Sequence, residues 1–145
     1  MSSCIFCKIV RGEAPATKVY EDDDVLAFLD IRPIMRGHIL VIPKDHATEL
    51  EDLHADMGAR IFRVGHGLAL AVRRSELAAD GANLVMNDGR SAFQTVPHVH
   101  LHVIPRRSGD KLAFAKGFVL RRSSGPEATA EAIRAGMVRL EEERQ

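Results

Sequence analysis

Apolar and polar residues alternate along the chain in short runs that predict five strands. Residues 18–21 and 25–29 are separated by an acidic turn, "DDD", and this arrangement predicts a β-hairpin. Residues 37–43, "GHILVIP", form an almost continuous apolar run that stops at a proline, which predicts a buried central strand. The runs "ANLVMN" at 82–87 and "HVHLHVIP" at 98–105 predict the last two strands.

The segment between the third and fourth strands has the spacing of an amphipathic helix. Its apolar residues recur at steps of three and four, at positions 50, 53, 57, 61, 64, 68 and 72. A helix with this spacing presents one apolar stripe to a core. Thr48 and Glu51 have the spacing of a capping box at its start, and Gly81 lies where a glycine commonly ends a helix. We therefore expect one long helix across the sheet.

Two further helices are predicted near the ends of the chain. Residues 4–12, "CIFCKIVRG", indicate a short helix or turn that ends at Gly12, and residues 126–144 indicate an amphipathic helix with Pro126 in its first turn. The combination predicts an α+β fold: an antiparallel sheet of about five strands, one long helix packed on it, and a C-terminal helix. A chain of 145 residues is long enough to bury a core as a single domain.

Composition and charge narrow the class of protein. Lys plus Arg and Asp plus Glu both total 20, so the net charge is zero, which argues against a dedicated nucleic-acid binder. No apolar run approaches the roughly 20 residues of a membrane span, and the N-terminus does not have the pattern of a signal peptide. The only two cysteines, Cys4 and Cys7, fit a reducing compartment. We therefore expect a cytoplasmic protein that binds neither nucleic acid nor membranes.

Three histidines, His98, His100 and His102, occupy alternate positions of the last predicted strand. Alternate side chains of a strand share one face, so the three imidazoles would lie together and the apolar residues between them would face the core. The outer two histidines would be about 13 Å apart. Zinc holds its nitrogen ligands at about 2.0–2.1 Å, so two neighbouring histidines could bind one ion but all three could not readily do so. A chain of imidazoles that tune one another is the more natural use, and histidines satisfied by backbone carbonyls are the structural alternative.

Three separated blocks resemble the histidine triad (HIT) superfamily, in its order and spacing: "CIFCKIVRGEAPATKVYEDDDVLAFLDIRP", "GHILVIPKDH" and "QTVPHVHLHVIPR". Within it, the chain resembles the Hint-like purine nucleoside phosphoramidases and their bacterial relatives with an N-terminal C-x-x-C. The resemblance implies a HIT-like core over about residues 4–107 and a C-terminal extension over about 108–145. It also implies a homodimer and a nucleotide hydrolase or transferase that acts at an α-phosphate through a nucleotidyl-histidine intermediate, releasing AMP or GMP.

The same resemblance implies roles for four histidines. His100 matches the residue that attacks the phosphorus; a neutral imidazole is a good nucleophile near pH 7, and a covalent intermediate divides one difficult displacement into two easier ones. His102 matches the histidine on the phosphate side, and His38 matches a fourth histidine packed behind the triad. His98 matches the first triad residue, which would orient its neighbours.

Further matches concern the nucleotide. Asn87 and Thr95 match polar side chains near the phosphate and leaving group, and Gly89 would let the loop approach the phosphate closely. Asp30 matches an aspartate whose two oxygens accept both hydroxyls of a ribose. Four apolar residues match the walls of a base slot, although each could equally be core: Phe6, Ile9, Phe28 and Ile31.

Cys4 and Cys7 form a C-x-x-C motif, which alone is compatible with a redox pair, a metal site or chance. In bacterial proteins with this pattern, the resemblance implies a structural zinc ion held by Cys4, Cys7, His46 and His98. Two cysteines and two histidines make a closed, tetrahedral structural site. The alternative is that two reduced cysteines pack as small apolar residues.

Four functions fit these observations. The first is a nucleotide hydrolase of the phosphoramidase type. The second is a dinucleoside polyphosphate hydrolase, although relatives of that type tend to have glutamine where this chain has Asn87. The third is a regulatory or scaffold protein that binds nucleotides with incidental hydrolysis, and the fourth is a metallohydrolase with a catalytic zinc at the H-x-H pair.

Overall fold

The computed structural model describes residues 3–121 and 125–145. It confirms the predicted α+β class: an antiparallel five-stranded sheet in the order β1-β2-β3-β5-β4, with helices packed on it. The strands are β1 (Lys18–Glu21), β2 (Val25–Leu29), β3 (Ile39–Pro43), β4 (Gly81–Met86) and β5 (Leu101–Arg106). The helices are α1 (Ile5–Val10), α2 (Ala55–Arg73), α3 (Lys111–Gly117) and α4 (Pro126–Arg144). Among the described residues, no helix is long and apolar enough to cross a membrane.

The sheet is covered on both faces, which explains why β2 and β3 are buried along their whole length. On one face, Ala27 and Val41 belong to the core that α2 completes. On the other face, Leu26 and Leu40 belong to a second core with Phe6 of α1. A strand buried on both faces has a continuous apolar sequence rather than an alternating one, as predicted for "GHILVIP".

The predicted capping box of Thr48 and Glu51 is wrong. The reciprocal box is formed by Glu49 and Asp52, one position later, around a single 3-10 turn. The Thr48 hydroxyl instead lies 3.1 Å from Nε2 of His46, so this hydroxyl pairs with the imidazole rather than with the backbone of the turn.

The long helix α2 begins only at Ala55, whereas the apolar stripe starts at position 50. The helix is therefore shorter than the stripe indicated. His54 is its N-cap, and Nδ1 of this imidazole accepts a hydrogen bond of 3.1 Å from the backbone N–H of Asp56. The C-cap is Arg74, so the prediction that Gly81 terminates the helix is also wrong. Gly81 is the first residue of β4, and a turn segment separates it from α2.

The last predicted strand starts later than its alternation indicated. The ladder between β3 and β5 begins with Val41 opposite Leu101, so only His102 of the three histidines lies within the strand. Before Leu101 the backbone pairs with the segment that follows β3 instead: the N–H of Val99 donates a hydrogen bond of 2.8 Å to the carbonyl oxygen of Ala47. The apolar half of the pattern is confirmed, with the residues between the histidines buried in the core beneath α2: Val99, Leu101 and Val103.

The helices at the C-terminal end pack closely against the rest of the domain. Residues 126–144 form α4 as predicted, with Pro126 in its first turn. The short helix α3 was not predicted, and it ends at Gly117, where an added Cβ would lie 1.9 Å from the carbonyl oxygen of Ile34. The backbone of α3 therefore lies directly against the loop that joins β2 to β3.

Two glycines in helices test the packing between α2 and α4. A Cβ at Gly136 would lie 2.2 Å from the carbonyl oxygen of Ala71, whereas a Cβ at Gly67 would have no described atom within 4 Å. We expect Gly136→Ala to lower the free energy of unfolding by about 1–3 kcal/mol, because backbone must move apart. Gly67→Ala should raise it by about 0.5–1 kcal/mol through helix propensity. Urea denaturation measures both, and stabilisation by both substitutions would contradict the close contact.

Candidate active site and metal centre

Two groups of buried or half-buried side chains lie next to each other around the segment that leads into β5. The first group contains His38, His100 and His102, whose rings follow one another at centroid distances of 5.1 Å and 4.9 Å. The second contains His98 and His46, whose rings are perpendicular at 4.8 Å, together with both cysteines. The histidine row is thus divided between two groups, with His98 in one and His100 and His102 in the other.

Hydrogen bonds determine which nitrogen of His38 and of His102 carries a proton. The backbone N–H of Ile34 donates to Nδ1 of His38 at 3.0 Å, so this nitrogen must be unprotonated. The proton of the neutral ring therefore sits on Nε2 of His38, which donates to Nδ1 of His102 at 2.9 Å. It follows that neutral His102 carries its own proton on Nε2.

His100 has the opposite tautomer. Its Nδ1 lies 2.7 Å from the carbonyl oxygen of His98, and since a carbonyl only accepts, Nδ1 carries the proton. Nε2 of His100 therefore keeps its lone pair. Among residues 3–121 and 125–145, the structure gives this Nε2 no hydrogen-bond partner, although His100 as a whole is only 3% exposed. The ring of Phe6 supports the imidazole edge-on at 5.3 Å.

Burial keeps these imidazoles neutral. Loss of solvation, followed by the positive charge of Arg121, lowers the pKa of His38 to about 3. Loss of solvation and the neighbouring His38 lower the pKa of His102 to about 4. Burial also lowers the pKa of His100, against the opposing effects of the His98 carbonyl and of Asp30. At neutral pH the row is therefore uncharged, which is the state that the tautomers require.

The cysteine–histidine group fits a tetrahedral metal ion. The Sγ and Nδ1 atoms of Cys4, Cys7, His46 and His98 all lie within 4.8 Å of one another. Nδ1 of His98 is 3.5 Å from Sγ of Cys4, 3.6 Å from Sγ of Cys7 and 3.2 Å from Nδ1 of His46. Ligands held about 2.0–2.3 Å from a zinc ion lie about 3.3–3.8 Å from one another. The spacing therefore matches the edges of a zinc tetrahedron.

The tautomers of this group also favour a cation. Nε2 of His98 donates to the carbonyl oxygen of Pro43 at 2.8 Å, and Nε2 of His46 lies 3.1 Å from the Thr48 hydroxyl, to which it can donate. Both Nδ1 atoms then present lone pairs to each other at 3.2 Å, which only a shared proton or a cation makes favourable. Burial and the adjacent Cys4 raise the pKa of the Cys7 thiol, so the thiolate form would need a bound cation.

A second group of potential ligands, Asp30, His38 and His102, does not fit a metal ion. Its geometry is compact, with Oδ2 of Asp30 lying 3.7 Å from Nε2 of His38. However, His38 already accepts the Ile34 N–H at Nδ1, so the nitrogen that would face an ion is protonated. A metal ligand must offer a lone pair, so we assign this group to hydrogen bonding.

The predicted base-slot residues differ in exposure. Phe6, Ile9 and Phe28 are buried in the core between α1 and the sheet, where the two phenyl rings meet edge-on at 5.4 Å. Ile31 is 77% exposed, so it is not a core residue. The first three therefore have a packing role whatever else they do, and the base slot stays a prediction.

The loop after β4 contains the remaining predicted residues. Gly89 has φ of +88°, in the region that favours glycine, and its N–H donates to the Gln94 side chain at 2.7 Å. The Gln94 amide donates in turn to the carbonyls of Thr48 and Val96, so it organises this loop, a role that the sequence did not reveal. Asn87 is half-buried at the end of β4. Thr95 lines an open groove of about 390 Å³ beside the metal group, together with Ser3, Cys4, Ile5, His46, Thr48, Val96 and Pro97.

Comparison with known proteins identifies the family of this chain. The chain belongs to the HIT domain family, whose family model matches residues 11–109. It is 51% identical over 134 residues to an uncharacterized HIT-like protein of Mycobacterium tuberculosis, covering 92% of both chains. It is 40% identical over 109 residues to an adenosine 5′-monophosphoramidase of Candida albicans, covering 73% of this chain and 72% of that protein. A solved Zn-bound histidine triad family protein from Mycobacterium smegmatis has a TM-score of 0.90 and 48% identity, with 98% of both chains covered.

Proposed function

We propose that the protein is a nucleotide hydrolase that cleaves at the α-phosphate of purine nucleotides, such as adenosine phosphoramidates, and releases AMP or GMP. The observation that carries this proposal is the hydrogen bond from Nδ1 of His100 to the His98 carbonyl, since it leaves a free lone pair on Nε2 of the same ring. The activity named for the Candida albicans relative supports the same reaction class.

The reaction proceeds in two displacements. Nε2 of His100 forms a bond to the α-phosphorus, the bond from phosphorus to the leaving amine breaks, and the amine departs with a proton from water. Water then attacks the same phosphorus, the nitrogen–phosphorus bond breaks, and its electron pair returns to Nε2 while water releases a proton. The covalent intermediate replaces one difficult displacement by two easier ones.

The neighbouring groups stabilise the charge that develops on the phosphoryl oxygens. The Nε2–H of His102, fixed by the His38 contact, belongs to a ring whose centroid lies 4.9 Å from that of His100. Asn87, Gly89 and Thr95 supply further polar contacts to the phosphate or leaving group. Donors that are fixed before the reaction contribute most, because they need no reorganisation.

Asp30 binds the ribose in this proposal, and the base lies against Ile31 and the edge of the core formed by Phe6, Ile9 and Phe28. The carboxylate of Asp30 is 15% exposed and lies next to the His38–His102 pair, so one ligand can reach both. Apolar walls recognise a purine mainly by area, which gives weak selectivity between bases.

Zinc has a structural role in this proposal, held by Cys4, Cys7, His46 and His98. The Zn-bound Mycobacterium smegmatis relative supports this metal. A closed site with four protein ligands contributes folding free energy and has no open position for substrate. A homodimer and a cytoplasmic location stay predictions from the family resemblance.

His100→Ala is expected to lower kcat for adenosine 5′-phosphoramidate by at least about a thousandfold, because no other group replaces the nucleophile. Binding of AMP, measured by calorimetry, should change little. His66→Ala is the matched control, since this histidine is exposed on α2, and it should keep full activity. Residual activity of His100→Ala within tenfold of the parent would refute the role of His100. Tight AMP binding without turnover by the unmodified protein would favour the regulatory alternative.

The purified protein is expected to hold about one zinc ion per chain by elemental mass spectrometry. Cys7→Ser should lose most of this zinc and unfold at a lower temperature, because metal binding contributes directly to folding. His66→Ala serves as the control, since this histidine is exposed on α2 and is not one of the four grouped ligands. Equal zinc content in Cys7→Ser and in the parent protein would exclude the proposed ligand set.

A further inference from the structure

The chain beyond the family match, which ends at residue 109, returns to the candidate active site. After α3 it delivers Arg121 to the loop between β2 and β3. The Nε–H of Arg121 donates to the carbonyl oxygen of Arg32 at 2.9 Å, and a terminal nitrogen of the same guanidinium lies 3.7 Å from Oδ2 of Asp30. A residue outside the histidine motif therefore lies next to the carboxylate assigned to the ribose.

We propose that Arg121 is a positioning residue that fixes the Asp30 carboxylate for the ribose hydroxyls and thereby makes the site selective for ribonucleotides over 2′-deoxyribonucleotides. This inference rests on the proposed function, and specifically on the assignment of Asp30 to the ribose. It adds a specificity determinant that the C-terminal extension supplies.

Two contacts hold Arg121 in place independently of any ligand. Gly117, four residues earlier, lies so close to Ile34 that no side chain fits between them. The turn that follows is closed by N–H groups of Val119 and Leu120, which donate to the carbonyl of Lys116 at 3.0 Å and 2.7 Å. These contacts hold the backbone that leads to Arg121. The hydrogen bond to the Arg32 carbonyl then holds the guanidinium itself, and the Arg121 side chain is only 30% exposed.

The contacts of Asp30 leave acceptor capacity for a hydroxyl pair. Its Oδ1 accepts the backbone N–H of Arg32 at 2.9 Å, which sets the plane of the carboxylate. Its Oδ2 is 3.7 Å from both Arg121 and Nε2 of His38. At that distance neither contact is a hydrogen bond, so the lone pairs of Oδ2 are available to incoming hydroxyls.

Arg121 also compensates the charge of a partly buried carboxylate. The Asp30 side chain is 15% exposed and lies beside the buried imidazole of His38, and the guanidinium of Arg121 brings an opposite charge to within 3.7 Å of its Oδ2. A carboxylate can accept from both hydroxyls of a ribose, and the attraction of the guanidinium restrains its position. Removal of Arg121 should therefore weaken the contacts that depend on both hydroxyls, and a 2′-deoxyribose has lost one of them already.

The test compares kcat/KM for adenosine 5′-phosphoramidate and its 2′-deoxy analogue in four proteins: the parent, Arg121→Ala, Arg121→Lys and Lys116→Ala. Arg121→Ala should lower the ribo-to-deoxyribo ratio about fivefold, the size expected for the loss of a partly exposed ion pair, mainly through a higher KM for the ribonucleotide. Arg121→Lys should recover part of the ratio. Lys116→Ala removes one exposed positive charge from the same extension and should leave the ratio within about twofold.

Other outcomes overturn the inference. An unchanged ratio in Arg121→Ala, with equal losses of kcat for both substrates, would show that Arg121 contacts the phosphate or leaving group instead. An equal effect of Lys116→Ala would reduce the role to general charge. Calorimetric Kd values for AMP and 2′-deoxy-AMP provide the same comparison without turnover. If the parent protein hydrolyses neither substrate but the Kd ratio still falls in Arg121→Ala, the proposed reaction fails and the role of Arg121 stands.

Discussion

The hydrogen bond from Nδ1 of His100 to the backbone carbonyl of His98 is the contact on which the account of this site depends. It selects the tautomer of His100 that keeps a free lone pair on Nε2, and it does so through a backbone group rather than a side chain. His98 supplies the carbonyl while its own imidazole joins the cysteine–histidine group, held by the Pro43 carbonyl. The nucleophile and the metal ligands are thus connected through the backbone of a single residue.

The fold makes this arrangement possible by burying polar rings between two apolar cores. His38 and His98 are completely buried and His100 nearly so, and a backbone group binds one ring nitrogen of each. Buried polar groups are tolerated only when they are paired, and desolvation then keeps the imidazoles neutral. The backbone therefore fixes the proton positions, and the cores maintain them across the neutral pH range.

Much of the fold could be predicted from the sequence, because local patterns determine it. The hairpin of β1 and β2 and the helix α4 match their predicted bounds, since turn residues and Pro126 mark their ends. The capping box was displaced by one residue, because the Thr48 hydroxyl is used by His46. The tautomers of His38 and His98 could not be predicted, since they depend on backbone groups of Ile34 and Pro43, which are distant in sequence from the triad. The contact between Arg121 and Asp30 could not be predicted, because it depends on a close backbone contact at Gly117.

The most direct test of the central claim is mass spectrometry of the protein mixed with adenosine 5′-phosphoramidate and quenched within the first turnovers. We expect an acid-labile adenylyl adduct, which peptide mapping under mild conditions places on the imidazole of His100. An adduct on another residue, or turnover at full rate with no adduct on any residue, would contradict the proposal that this imidazole is the nucleophile.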